Sequence, residues 1–217
     1  MARMLVVLVV AIVLAWSGPA NAVPFFFSTG NVDGRIATAS RPASAGKIEI
    51  ESGDDFMVGG GTLNLNSATF QGLIPSGASL GDIGTVRVEI YRVFPADSNV
   101  GRTSGPPDFS VLPKVPTRVN SPSDVAFDSR ESGGGGLTFT PGIVQPSFTV
   151  LNSVVNGVQV AAHGEGPVTG QQVQFNVLFS TPISLPSDHY FFVPQVELAS
   201  GDFLWLSSPR QIGRAHV

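Results

Sequence analysis

The chain has 217 residues, only 13% of them charged, with 12 Lys and Arg against 16 Asp and Glu for a net charge of −4. Lys47 and Lys114 are its only lysines, so no basic stripe is available for nucleic acid or for an anionic membrane surface. It has no cysteine, which excludes disulfides, thiol catalysis, iron–sulfur clusters and cysteine zinc sites.

The first predicted element is a secretory leader over residues 1–22. Arg3 supplies a positive start, residues 5–15 are unbroken apolar, and Ala20 and Ala22 are the small residues of a signal-peptidase site. A spanning helix needs roughly 20 apolar residues, so the expectation is a signal-peptide helix cleaved after Ala22 and a chain that works outside the cytoplasm. At the other end, residues 212–217 read as the translation of a sequencing adaptor. A single domain is therefore expected over residues 23–211, C-terminally truncated, so that the sequence is a fragment. Without Arg3 and Arg214, ten basic residues face sixteen acidic ones. The absence of cysteine and of any Asn-x-Ser/Thr acceptor favours a bacterial source.

Between these ends the dominant period is two. Residues 47–51 place Ile48 and Ile50 on one face and Lys47, Glu49 and Glu51 on the other. Residues 62–66 alternate likewise, with Ala68 and Phe70 continuing the pattern. Residues 85–93 turn Val86, Val88 and Ile90 inward and Arg87, Glu89 and Tyr91 outward; residues 172–179 turn Val173, Phe175, Val177 and Phe179 inward. Each is the pattern of an antiparallel strand with one buried and one wet face. Shorter strands are predicted at residues 25–27, 35–38, 55–58, 125–128, 137–140, 147–151, 158–161, 190–196 and 203–206. Asn156-Gly157 predicts a type I′ hairpin. With 25 Gly and 17 Pro as punctuation and no amphipathic crossover helix, ten to twelve strands predict an all-β, two-layer antiparallel β-sandwich, with a closed β-barrel as the alternative. Residues 95–124 carry six prolines and read either as a long functional or disordered loop or as a proline-blunted edge.

Few residues invite chemistry. The glycine runs at residues 59–61 and 133–136 lack the Lys-Ser/Thr and helix of a phosphate loop and read as hairpin connections. Asp54, Asp55, Asp124, Asp128 and Glu131 are candidate calcium ligands, set against the alternative of solvated turn acids. No cofactor is expected beyond that possible calcium ion. His163 with Glu165, and Asp188 with His189, are the credible histidine neighbourhoods, too few for a three-ligand zinc centre. No Gly-x-Ser-x-Gly elbow accompanies them, and Asp202 has no carboxylate partner in sequence. Tyr91, Tyr190–Phe192 and Trp205 could stack on sugar rings, or simply fill a core.

The segments beginning at Val32-Asp33-Gly34, Gly84-Thr85-Val86, His189-Tyr190-Phe191 and Gly201-Asp202-Phe203 resemble a group of secreted bacterial β-sandwich proteins of uncharacterised function, some with a PEP-CTERM-type C-terminal sorting signal. The resemblance implies no catalytic residues. The reading is a non-enzymatic exported protein, structural or adhesive at the cell surface or in an extracellular matrix. Its expected partners are extracellular polysaccharide or other surface proteins, not nucleic acid, and membrane only through a C-terminal anchor. The alternatives are a carbohydrate-binding module and a secreted hydrolase built on Asp188-His189.

Overall fold

The computed structural model describes residues 30–100, 120–155 and 164–209. Ten strands form in chain order: β1 (Ile36–Ala39), β2 (Asp54–Val58), β3 (Leu63–Pro75), β4 (Ile83–Arg92), β5 (Asp128–Glu131), β6 (Leu137–Val150), β7 (Asn152–Val154), β8 (Val168–Leu185), β9 (Asp188–Leu198) and β10 (Leu204–Leu206). They make a six-stranded sheet in the order β6-β8-β3-β10-β1-β7 and a four-stranded sheet in the order β2-β9-β4-β5. Among the described residues neither sheet closes on itself, so the architecture is the all-β sandwich and not the barrel. Pairing is antiparallel except between β1 and β7, which run parallel.

Alternation builds the core. Val86, Val88 and Ile90 on β4, and Val173, Phe175, Val177 and Phe179 on β8, are all buried, and they meet Phe70 and Ile74 of β3 and Tyr190, Val196 and Leu198 of β9 between the sheets. The Phe70 and Phe175 rings stack at 4.9 Å, and Phe203 stands edge-on to both at 6.0 and 5.5 Å. Such contacts add about 0.5–1.5 kcal/mol per pair beyond area burial. Gly72 makes room for this cluster, since a Cβ there would lie 2.0 Å from the Phe203 ring.

A second, smaller core lies on the other face of the six-stranded sheet, where Leu73, Leu204 and Leu206 join Ala37, Ala39 and Val150. Around β10 and β1 that sheet is therefore apolar on both sides, which is why residues 203–206 read as a continuous apolar run. The chain enters and leaves beside this core: the Asp33 amide donates to the Ser207 carbonyl at 3.1 Å, and the Ser207 hydroxyl donates to the Asp33 carboxylate at 2.7 Å. Ser40 ties one sheet to the other. Its amide donates to the Phe203 carbonyl, its carbonyl accepts from Val196, and its hydroxyl donates to the Pro194 carbonyl at 2.6 Å.

Three predicted elements differ. Residues 47–51 are not a strand: they pair only through isolated bridges, Arg41 with Ile50 and Ser44 with Lys47. Ile50 packs against the smaller core, while Ile48 is 62% exposed. The strand expected at residues 125–128 begins only at Asp128, and Val125 is exposed. The separate strands at residues 137–140 and 147–151 are one long edge strand, β6, bulged near Ile143 and Gln145. The leader with Ala20 and Ala22, the strands at residues 25–27 and 158–161, the Asn156-Gly157 turn and residues 212–217 lie outside the described residues.

Candidate functional site

Titratable side chains gather on the outer face of the four-stranded sheet. Strand β4 presents Arg87, Glu89 and Tyr91 there, at alternate positions. Register sets their neighbours: Arg87 lies between Glu131 of β5 and Gln195 of β9, Glu89 between Ser129 and Val193, and Tyr91 opposite Phe191. The irregular chain that follows Arg41 then crosses this face. Gly53 passes so close that a Cβ would stand 2.8 Å from the Val193 side chain. This crossing brings Glu49 and Glu51 onto Glu89.

The three glutamates each offer a carboxylate oxygen within 4.8 Å of the others. Glu89 is only 8% exposed; it accepts from the Ser129 hydroxyl at 2.9 Å and from the Tyr91 hydroxyl at 3.2 Å. The Tyr91 hydroxyl also lies 2.6 Å from Glu51. Glu49 accepts from Arg87 and from the Gln195 amide, both at 3.1 Å, and Arg87 reaches Glu131 at 3.0 Å with its other nitrogen. Arg87 thus pairs with two of the four carboxylates, Glu49 and Glu131, while Glu51 and Glu89 are held by hydroxyl donors.

The electrostatics follow from that crowding. Glu51 is exposed as a residue, but its carboxyl is the part folded into the cluster. Desolvation there, with the nearby charges of Glu89 and Glu49, pushes it up to about 7 against the lowering effect of the Tyr91 hydrogen bond. Burial, with the Glu51 and Glu89 carboxylates beside it, raises the Tyr91 phenol well above its ordinary range. Burial works against the Arg87 charge, but the bond to Glu131 and the field of Glu89, Glu131 and Glu49 outweigh it.

The candidates named from sequence fall elsewhere. Asp55 meets His189 Nε2 at 2.7 Å across the β2–β9 pair, with the imidazole stacked on Phe191 at 6.3 Å. The histidine partner is therefore Asp55; Asp188 instead accepts from the His189 main-chain amide and lies 3.7 Å from Arg92. Asp54 accepts from the Asp55 amide, Asp124 from the Asn99 amide, and Asp128 chelates the Arg130 guanidinium. Among the described residues, none of the five calcium candidates joins the glutamate trio, and Glu131 comes nearest through Arg87. Asp202 pairs with Arg41 and Lys47. Glu165 accepts from the Val155 amide, and His163 lies outside the described residues. Tyr190 is fully buried and donates to the Pro186 carbonyl; Trp205 packs against the main core. Tyr190 therefore offers no ring to a sugar, while Trp205 is half-buried. The glycine runs connect β2 to β3 and β5 to β6, but each of these pairs is split between the two sheets, so the runs are crossings from one layer to the other and not the hairpin connections expected.

Glu49, Glu51, Glu89 and Gln195 escaped the sequence reading. Their convergence depends on a non-local crossing, and the one local signal was acids on two wet faces of a chain otherwise poor in charge.

The six-stranded sheet presents a contrasting outer face. Register aligns Thr69 with Asn176, Gln71 with Gln174, and Thr140 with Asn176. Gln172 donates to Gln71 at 2.7 Å, Gln71 to Gln174 at 3.3 Å, Gln174 to Asn176 at 3.1 Å, and Thr69 to Asn176 at 3.3 Å. The result is an uncharged ladder of amides and hydroxyls running across β3 and β8.

No protein-family model, no curated protein and no solved structure matches this chain.

Proposed function

We propose that this chain is an exported, non-catalytic β-sandwich with an adhesive or structural role at the cell surface or in an extracellular matrix, and that its contact is with neutral polysaccharide. The observation that carries this reading is the amide and hydroxyl ladder of Thr69, Gln71, Gln174 and Asn176. Primary amides and hydroxyls are paired donors and acceptors, complementary to sugar hydroxyls and indifferent to charge. The leader-like first 22 residues support export. The two polar constellations, His189 with Asp55 and Tyr91 with the glutamates, are each tied internally by short hydrogen bonds.

The test is retention of the purified chain on insoluble neutral glucans and on isolated cell walls. Retention is expected to survive high salt, because the face carries no charge, and to fall at least tenfold in Gln174→Ala/Asn176→Ala. Retention abolished by salt, or unchanged in that variant, would remove the ladder from the account. Turnover of a polysaccharide or ester that is lost in a folded His189→Ala protein would establish the hydrolase alternative instead. Recovery of the chain from cytosol with its leader uncut would refute export.

A further inference from the structure

We propose that Glu49, Glu51 and Glu89, with the side-chain oxygen of Gln195, form a binding site for a divalent cation of the calcium class. The three glutamates each present a carboxylate oxygen within 4.8 Å of the others, spaced to surround one ion at the 2.3–2.6 Å of calcium–oxygen bonds. The donor set contains only oxygen, with no thiolate or imidazole, which selects a hard cation over zinc or copper.

An acidic trio alone would say little, since exposed carboxylates commonly cluster without an ion. Gln195 supplies the second observation. Its side chain is wholly buried, and its amide nitrogen donates to Glu49, so it is aimed into the cluster. Among the described residues, its oxygen meets no hydrogen-bond donor. The reverse amide orientation would set two acceptors against each other, so the bond to Glu49 fixes which atom is left over. Buried carbonyl oxygens are nearly always satisfied, and a neutral amide oxygen beside carboxylates is an ordinary calcium ligand.

Charge points the same way. Arg87 divides its guanidinium between Glu49 and Glu131, leaving Glu51 and Glu89 with hydroxyl donors from Tyr91 and Ser129. Each carboxylate keeps further lone pairs for an ion. The donors come from two kinds of scaffold: Glu89 and Gln195 from paired strands, Glu49 and Glu51 from irregular chain. Calcium tolerates that adjustable geometry, whereas magnesium demands a near-ideal octahedron. Bound there, the ion clips the crossing segment onto the four-stranded sheet.

The experiment follows thermal unfolding of the purified chain in chelator and in calcium chloride, together with terbium luminescence excited through Tyr91. Millimolar calcium is expected to raise Tm by several degrees and to displace terbium. Both responses should weaken at least tenfold in Glu49→Gln/Glu51→Gln, whose changed residues are exposed, and in the isosteric Glu89→Gln. They should persist in Asp54→Asn/Asp124→Asn. Absence of any calcium response in the unaltered chain would overturn the proposal. So would a response of undiminished affinity in the glutamate variants, or one lost only in Asp54→Asn/Asp124→Asn.

Discussion

Individual side chains in this sandwich are constrained by what lies across from them, and Gly72 is the sharpest case. Its missing side chain is the space occupied by the edge of Phe203, and the Leu204 carbonyl closes the same space at 2.9 Å. Gly72→Ala is expected to destabilise the fold by about 1–3 kcal/mol, read as a lower denaturant midpoint with an unchanged m-value. Glu51 gives a prediction of a different kind. Its folded-state pKa is raised to about 7 from an ordinary 4.5, so the folded chain holds a proton that the unfolded chain releases. Stability is therefore greatest below about pH 4.5 for this group and is lost as pH rises to 7. In chelator, Glu51→Gln should flatten that slope in a series of melts. Alternation made Val173, Phe175, Val177 and Phe179 legible as core, because a ribbon with one apolar edge has one place to put it. It misplaced Ile48 and undervalued Glu89. Period tells which side of a ribbon a residue occupies, but not whether another segment crosses that side.

Among the elements, β6 shows how the longer sheet ends safely. It is a 14-residue edge strand with Pro141 and Pro146 and with bulges near Ile143 and Gln145. Proline lacks the donor that an incoming strand would need, and a bulge breaks the flat ladder. Pro141→Thr/Pro146→Thr is expected to leave Tm within a few degrees while increasing aggregation on incubation, measured by light scattering. An unchanged monomer would show that the bulges alone suffice. The glycines and prolines predicted many short strands, whereas β3, β6 and β8 are long; a bulge lets a strand absorb an irregular residue and continue. The proline-rich excursion after β4 was legible as an interruption. Its flanks pair, with Phe94 donating to Ser121, Ser123 donating to Arg92, and Val93 bridged to Pro122. Those contacts join residues about thirty apart, which no local pattern encodes.

At the scale of the whole molecule, two sheets with unlike outer surfaces share one core. The four-stranded sheet collects glutamates beneath a crossing segment, while the six-stranded sheet carries neutral amides and hydroxyls. That division predicts two separable sensitivities. Gln174→Ala/Asn176→Ala should change retention on glycans without altering the calcium dependence of Tm, and Glu49→Gln/Glu51→Gln should do the reverse. The two-layer architecture was readable from period two and the lack of crossover helices. Which wet face would gather charge was not, because composition counts residues without assigning them to sheets. Strands β1 and β10 carry a further consequence. They lie antiparallel, Ala37 opposite Leu206 and Ala39 opposite Leu204, so the chain arrives and departs at one end of the same pair. Tension applied through residues on either side would open that seam like a zip, starting at Asp33 and Ser207, while β7 and β3 hold the far edges of β1 and β10. A seam loaded in this direction is expected to open stepwise from that end, which single-molecule pulling would record as short extensions preceding the separation of the sheets.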